Sequence, residues 1–176
     1  MPVIDLHLQQ RTPHATASRA ESRGSTVTSL AAERAPAGMR LALELAGQRC
    51  EAATRADHAA FLLRDLAEAA TAVCEGRSAR SLVSFYDTPW ELSLGAGDGA
   101  LLASLYRTGP NPEVSAVDVA VPANALAQTL ERTLGALRGE LDGDFSASLD
   151  AALARLRAAP VERLLAPARG ADTRAR

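Results

Sequence analysis

Four short apolar segments between residues 80 and 121 constrain the fold of this chain more than any other feature. They span residues 80–86, 90–94, 100–106 and 114–121, and Gly-, Pro- and Asp-containing turn sequences separate them. In the last segment, Val117, Val119 and Val121 alternate with Asp118 and Ala120. An alternation of period two is typical of a strand with one buried and one solvated face. The region therefore predicts an antiparallel meander.

A strand pair and a helix are predicted before this meander. Residues 40–46 place three Leu on one face with period two, and residues 49–53 read as the returning strand after a turn at Gly47-Gln48. The apolar spacing then changes to that of a helix, which runs to about Cys74. Gly76 stands where a glycine commonly ends a helix.

The helix that precedes the meander has a candidate start signal, since Thr54 and Asp57 have the spacing of a capping box. Two further helices are predicted after the meander. Pro122 suits the first turn of the second helix, which is expected to end at Gly143. Its apolar stripe consists of Leu126, Leu130, Leu134, Leu137 and Leu141. The third helix is expected over residues 146–158.

Together these patterns predict an α+β fold. An antiparallel sheet of about five to six short strands is packed by two to three amphipathic helices, and the order of elements suggests two related β-β-α halves. Residues 1–38 are expected to be a flexible N-terminal arm, since they are rich in small and polar residues with little periodicity, so that order begins at Met39. Residues 39–158 form the domain, and residues 159–176 a basic C-terminal tail.

The distribution of charge limits the partners of this domain. Residues 39–153 contain nine Arg and sixteen acidic residues, a net charge of −7, whereas residues 154–176 contain six Arg and two acids, a net charge of +4. An acidic body repels phosphate backbones, so nucleic acid is not expected to bind it. The tail could bind nucleic acid or an acidic partner, or it could lie along the acidic face of its own body.

Residue usage also bears on location and on metal or disulfide chemistry. All nineteen basic residues are Arg, and Ile4 is the single Ile, a bias that fits a GC-rich bacterial genome. Cys50 and Cys74 are too few for a disulfide framework and too far apart for a CxxC pair. No secretory signal or membrane-spanning apolar run is recognisable, so a cytoplasmic location is expected. Three His, two of them in the arm, do not predict a metal site.

One stretch resembles a cofactor-binding motif. Glu91–Gly99, with the sequence ELSLGAGDG, resembles the Gly-rich first motif of Rossmann-like S-adenosylmethionine-dependent methyltransferases. Asp118 resembles the acid at the end of the second strand in that family. The resemblance implies a fold in which the glycines approach the cofactor and the acid binds the ribose hydroxyls. The cofactor-contacting residues would then be Gly95, Gly97, Gly99 and Asp118.

The alternative interpretation, which we prefer, is that Gly95–Gly99 is a hairpin turn. Trp90–Leu94 alternates polar and apolar residues, whereas the first strand of that family is buried on both faces. Only 58 residues follow Asp118, too few for the strands that the methyltransferase fold still requires. Asp98-Gly99 is itself a turn signal. On this interpretation the chain has no cofactor.

The aromatic residues of the meander are predicted to contribute to packing and to an interface. Tyr86, Trp90 and Tyr106 could stack on nucleic-acid bases, but Asp87 and Glu91 close by remove the positive field that such binding needs. We therefore predict that the three aromatic residues form part of a protein interface.

The preferred functional hypothesis is a non-enzymatic interaction module or assembly subunit. Open sheet edges and long apolar stripes are commonly satisfied by self-association or by a protein partner, on which the two ends of the chain would become ordered. The enzymatic alternative is a small methyltransferase-like protein. The third class is a nucleic-acid-binding accessory protein that acts through its basic tail. No complete catalytic motif and no catalytic residue is predicted.

Overall fold

Two antiparallel sheets and three helices make up the part of the chain that the computed structural model describes, which comprises residues 8–10, 26–35, 38–86, 88–141 and 143–159. Sheet A contains β1 (Leu8–Gln10), β2 (Thr26–Ala35), β3 (Gly38–Leu45) and β4 (Gln48–Thr54). Sheet B contains β5 (Arg80–Ser84), β6 (Trp90–Ala96), β7 (Leu101–Arg107) and β8 (Glu113–Val121). The helices are α1 (Ala56–Cys74), α2 (Ala123–Leu137) and α3 (Gly143–Ala158).

The same order of elements occurs twice along the chain. In each sheet the strands are neighbours in chain order and pair antiparallel, and a helix follows the fourth strand. Helix α1 follows sheet A, and α2 follows sheet B. The α+β class with antiparallel pairing is confirmed, and the six strands expected from the sequence are β3 to β8. They are divided between two sheets.

The sequence predicts that regular structure begins at Met39, but it begins earlier in the chain. Residues 28–35 of strand β2 pair with β3 and residues 26–28 pair with β1, although the sequence predicts that this stretch belongs to a flexible arm. The residues of β2 are mostly small, and the adjacent Ser29 and Leu30 are both buried, which removes the contrast of period two. Their order depends on long-range packing, because α2 covers this strand and Thr133 Oγ1 donates a hydrogen bond to the carbonyl of Leu30 at 3.2 Å. The rest of the arm and residues 160–176 of the tail lie outside the described residues.

Helix α1 occupies the centre of the core. It contacts strands of both sheets and packs against both other helices. Leu62, Leu63 and Leu66 are each at most 2% exposed, so the helix has a wide buried surface instead of one narrow stripe. Burying one such side chain contributes about 1.5–3 kcal/mol. Both sheets therefore share one continuous core around α1.

The helix boundaries differ from the sequence prediction in two places. The capping box is wrong, since Arg55 and not Thr54 is the N-cap of α1, and the Asp57 carboxylate accepts hydrogen bonds from Arg55 and from the His58 N–H. Helix α2 ends at Leu137, earlier than the expected end at Gly143, and a short turn of 3₁₀ helix follows it. The third helix, expected over residues 146–158, is α3, which begins at Gly143. Leu141 still packs against the core from the connection between the two helices.

The β3–β4 hairpin contains a strained residue. Its turn is formed by Ala46 and Gly47, whose φ angles are +52° and +76°. Two successive positive φ values define the type I′ turn, which matches the twist of a hairpin and favours Asn-Gly. Alanine has a Cβ that makes this left-handed conformation unfavourable by roughly 1–2 kcal/mol.

Replacing Ala46 with Asn is therefore expected to stabilise the protein. The Ala46→Asn variant should raise the free energy of unfolding by about 0.5–1 kcal/mol, because Asn tolerates the left-handed region better than Ala. Denaturant-induced unfolding followed by circular dichroism measures the change. The matched control is Gly47→Ala, which should lower the same free energy; a destabilised Ala46→Asn variant would contradict the assignment of the turn.

Candidate functional site

The outer face of sheet B, which points away from α1, carries three of the residues singled out in the sequence, namely Gly95, Tyr106 and Asp118. The strand register places Arg80, Gly95, Leu102 and Ala120 in one row across the four strands. Farther along the strands, a parallel row contains Glu91, Tyr106 and Val114. The residues between these positions, such as Leu94 and Leu105, point into the core and are buried.

A polar network crosses this face, and we call it the Arg80 cluster: Arg80, Ser93, Ser104, Tyr106 and Asp118. Arg80 Nη2 donates to Asp118 Oδ1 at 2.8 Å, and Arg80 Nη1 lies 3.3 Å from Ser93 Oγ. The Tyr106 hydroxyl accepts a long hydrogen bond of 3.5 Å from Arg80 Nη1. The cluster thus connects edge strand β5 with edge strand β8 through side chains of both central strands.

Asp118 occupies an irregular position in β8. Its φ angle is +46°, and the register between β7 and β8 shifts on either side of Leu105, which marks a bulge. The Asp118 N–H, displaced from the backbone ladder, donates to Ser104 Oγ at 2.9 Å, and Ser104 Oγ donates to Asp118 Oδ1 at 3.1 Å. The fully buried Ser104 therefore replaces a missing backbone partner.

Gly95 makes room for the Arg80 side chain. Gly95 is the Cα partner of Arg80 on the neighbouring strand, and a Cβ at this glycine would lie 3.3 Å from both Nε and Nη2 of the guanidinium. A larger residue would push the guanidinium away from the sheet surface and from Asp118. The role of this glycine is thus to accommodate a cation of the same chain.

The electrostatics of the Arg80 cluster favour fixed charges. The Arg80 guanidinium, followed by the Ser104 hydroxyl, holds the pKa of Asp118 below its usual range. The hydrogen bond between Arg80 and Asp118 also raises the pKa of Arg80 above its ordinary value. General acid or base catalysis works best with a pKa near the working pH, and both shifts move away from neutrality. The cluster is suited to holding the bulged strand in place.

The Gly-rich stretch is a hairpin turn, as the preferred interpretation predicted. Ala96 and Leu101 are partners in the antiparallel ladder of β6 and β7, and the Gly97 N–H donates to the Ala100 carbonyl at 2.9 Å. Gly99 has a φ of +74°, and a Cβ at Gly97 would lie only 2.6 Å from Leu102 Cγ. These glycines connect two antiparallel strands, whereas the methyltransferase motif connects a parallel strand to a helix. Gly95 and Asp118 meet only through Arg80.

A second candidate site is the groove between α1 and strand β5, which we call the α1–β5 groove. Its volume is about 450 Å³. It is lined by Asp65, Glu68 and Ala69 of α1, by Ser81–Ser84 of β5, and by Tyr86. The Tyr86 hydroxyl donates to Asp65 Oδ2 at 2.7 Å, a hydrogen bond that raises the pKa of Tyr86, with burial adding to the effect.

An aromatic cluster borders one end of this groove. The Tyr86 ring lies 5.6 Å from the His58 ring and 6.4 Å from the Phe61 ring, measured between centroids. Phe61 makes an edge-to-face contact of 4.8 Å with Phe145 of α3, and the Arg64 guanidinium lies 5.0 Å from the Phe61 ring centroid. Three of the six Phe, Tyr and Trp residues in the sequence thus gather at this place.

The large apolar side chains that remain exposed have an uneven distribution. Across the described ranges these are Leu82, Tyr86, Val114 and Val117, which are 58%, 38%, 54% and 65% exposed. All four belong to sheet B or to the turn after β5. Large exposed apolar groups that cluster on one side of a protein commonly mark an interaction surface.

The exposure of Val117 corrects the alternation inferred from the sequence. The alternation in the sequence predicts that Val117, Val119 and Val121 lie on one buried face, and Val121 is buried. The bulge at Asp118 reverses the alternation, so that Val117 points to solvent. Because no residue type in this segment signals a bulge, the exposure of Val117 cannot be predicted from the residue pattern.

The three aromatic residues predicted for an interface lie in different places. Tyr106 is half-buried on the outer face of sheet B and is the Cα partner of the exposed Val114. Tyr86 borders the α1–β5 groove. Trp90 is half-buried and packs against the core at the start of β6. Tyr106 is therefore the one that adjoins the exposed valines, whereas Leu82, Val114 and Val117 were not singled out from the sequence.

Other candidate chemistry is confined to buried or scattered groups. Cys50 and Cys74 are buried free thiols, as expected, and burial raises the pKa of Cys50 to about 11. Within the described ranges, His, Cys, Asp and Glu side chains form no group of three or more that could hold a metal ion. The helices described here are all too short or too polar to cross a membrane.

No protein-family model matches the chain, and neither the curated proteins nor the solved structures gave a match.

The Arg80 cluster predicts a change in the pKa of Asp118. In an Arg80→Gln variant the pKa of the Asp118 carboxyl should rise towards the ordinary value near 3.9, because the guanidinium is lost. Titration of the carboxyl carbon by NMR measures it. Asp57 serves as a control in the same spectra: desolvation opposes its lowered pKa, hydrogen bonds from Arg55 and the His58 N–H dominate, and none of these should change. An unaltered Asp118 titration would contradict the ion pair.

The buried hydroxyl of Ser104 should contribute more to stability than an exposed one. A Ser104→Ala variant leaves the Asp118 N–H without its partner in the bulge, so the free energy of unfolding should fall by about 1–3 kcal/mol. The control is Ser84→Ala, an exposed residue on the same sheet, for which a change within about 0.5 kcal/mol is expected. Equal effects of the two substitutions would rule out the bridging role.

Proposed function

We propose that the protein is a non-enzymatic interaction module that self-associates through strand β8. The observation that carries this proposal is the exposure of Val114 and Val117, which stand 54% and 65% exposed on an edge strand of sheet B. Tyr106 lies beside Val114 and extends the apolar surface onto the neighbouring strand. We call these three residues the β8 patch.

Charge supports a second copy of the chain as the occupant of this patch. Residues 39–153 carry a net charge of −7, so two copies repel each other unless they meet at a surface with little charge of its own. Asp118, which adjoins Val117 in the β8 patch, is neutralised by its ion pair with Arg80 at 2.8 Å. Glu91, the Cα partner of Tyr106, lies at the margin of the patch. At the opposite edge of the sheet, Asp65 and Glu68 would bring four like charges together across a two-fold axis.

The bulge determines which kind of contact is available. A regular edge strand offers a continuous row of backbone donors and acceptors, and a bulge interrupts that row. Because Asp118 interrupts β8, the contact between two copies relies on the apolar side chains of Val114, Val117 and Tyr106. Such a contact buries apolar surface without requiring a continuous intermolecular sheet.

We also propose a location in the cytoplasm. The Gly95–Gly99 hairpin does not favour the methyltransferase alternative, because it joins two antiparallel strands. Binding of nucleic acid would have to come from the basic residues that follow Ala159, since the body is acidic.

Solution mass tests the proposal. Light scattering coupled to size-exclusion chromatography at micromolar concentration should give twice the mass of one chain. A Val117→Lys variant should give the mass of one chain, because it places two lysines together at the contact. The control is Leu82→Lys, which adds the same charge at a 58% exposed apolar residue on the other edge strand and should leave the dimer intact. A monomeric native protein would overturn self-association, and a dimeric Val117→Lys variant would overturn its assignment to β8.

A further inference from the structure

The outer edge of strand β5 offers backbone groups to an incoming strand. Antiparallel ladders alternate between residues that bond their partner and residues that point away from it. Phe85 N–H donates to the Trp90 carbonyl, and the Ala79 carbonyl accepts from the Ala96 N–H, so the odd-numbered residues face β6. Leu82 and Ser84 therefore direct their N–H and C=O groups away from β6, at the open edge of the sheet, and both residues line the α1–β5 groove.

At the start of β5, a side-chain hydrogen bond occupies one of the backbone groups on this edge. Ser78 Oγ donates to the Arg80 carbonyl at 2.6 Å, which closes the edge at the start of the strand. Over the rest of β5, the described part of the chain supplies strand pairing from β6 alone. An extended segment that lay in the groove could thus bond to Leu82 and Ser84, the usual mode of strand addition.

The α1 wall of the groove selects for basic side chains. Asp65 and Glu68 are three residues apart on the helix, a spacing that brings side chains within about 5–6 Å of each other. Alternate residues of a strand point the same way and are about 6.6 Å apart, twice the rise per residue. Two arginines separated by one residue on an added strand would therefore match the two carboxylates. Asp65 already accepts from Tyr86 and Arg64, but a carboxylate has room for further donors.

The chain itself contains a segment with this pattern. Residues 160–176 lie outside the described residues and contain four Arg and two acids. Arg174 and Arg176 are separated only by Ala175, so on a strand both would point to the same side. A chain of 17 residues can extend to about 55 Å, roughly twice the length of the 19-residue helix α1, so the segment can reach the groove from Ala159.

We propose that the C-terminal segment of the chain binds in the α1–β5 groove of the same molecule as an added strand on β5. Its backbone bonds to Leu82 and Ser84, and Arg174 and Arg176 pair with Glu68 and Asp65. The basic segment thereby covers an open edge that would otherwise be available to other chains. This inference concerns the edge opposite to β8 and does not depend on the self-association proposed above.

Hydrogen exchange measured by NMR on the full chain tests the proposal. In the native protein the Leu82 and Ser84 amides should exchange slowly, because the added strand engages this edge of β5. In the double variant Arg174→Glu/Arg176→Glu, both amides should exchange at least tenfold faster. The Val83 amide belongs to the β5–β6 ladder and should stay slow in each protein, which verifies that β5 remains folded. Adding Glu68→Arg to the double variant should slow exchange at Leu82 in part, because it re-forms one of the two ion pairs with the charges exchanged.

A matched control separates docking from general charge effects. The double variant Arg132→Glu/Arg155→Glu makes the same change in net charge at two exposed positions on α2 and α3, and should leave exchange at Leu82 unchanged. Equal exchange rates of Leu82 in the native protein and in the Arg174→Glu/Arg176→Glu variant would overturn the proposal. Slow exchange that develops only with rising protein concentration would also overturn it, since the segment would then occupy the groove of another molecule.

Discussion

The burial of helix α1 between the two sheets is the interaction on which the rest of this structure depends. The leucines of α1 pack against strands of both sheets and against both other helices, so neither half of the chain has a core of its own that excludes α1. An antiparallel four-stranded sheet with one apolar face needs such a cover. Because α1 is the cover for sheet B while following sheet A in the chain, the two halves are tied into one unit.

This arrangement decides which surfaces remain for function. Among the described residues, helices cover the inner faces of both sheets, whereas the outer face of sheet B and its two edges have no such cover. The two edges differ in chemistry. Strand β8 presents valines beside a neutralised ion pair, and strand β5 presents backbone groups beside two carboxylates. The first suits an apolar and self-complementary partner, and the second suits a basic extended one. The Arg80 cluster lies between them and holds the bulged strand in register.

Much of the fold could be predicted from the periodicity of apolar residues, and each wrong prediction has a physical cause. The six strands from residue 40 to residue 121 and the helix that ends before Gly76 follow from local patterns that the tertiary structure reinforces. Strand β2 could not be predicted, because its small residues are ordered only by pairing with β3 and by contact with α2.

The candidate site was partly predictable from the sequence. The sequence indicates Gly95 and Asp118 through a cofactor-motif resemblance and Tyr106 as an interface aromatic, and all three lie on one face of sheet B. The Arg80 contacts that connect them are formed between residues distant in sequence. The exposure of Val117 depends on a bulge, and a single residue of irregular backbone leaves no trace in the pattern of residue types.

The two buried thiols give the molecule internal reporters of its own opening. Cys50 lies in the core face of sheet A, opposite Leu43, and Cys74 lies at the last turn of α1. The thiolate is the nucleophile that attacks a thiol reagent, and both sites disfavour the thiolate because burial raises the pKa of each cysteine. Alkylation can therefore proceed only through conformations in which the surrounding core has separated. Since one cysteine reports on sheet A and the other on the shared helix, their relative alkylation rates would show whether sheet A can detach while α1 stays packed, or whether both are released in a single cooperative event.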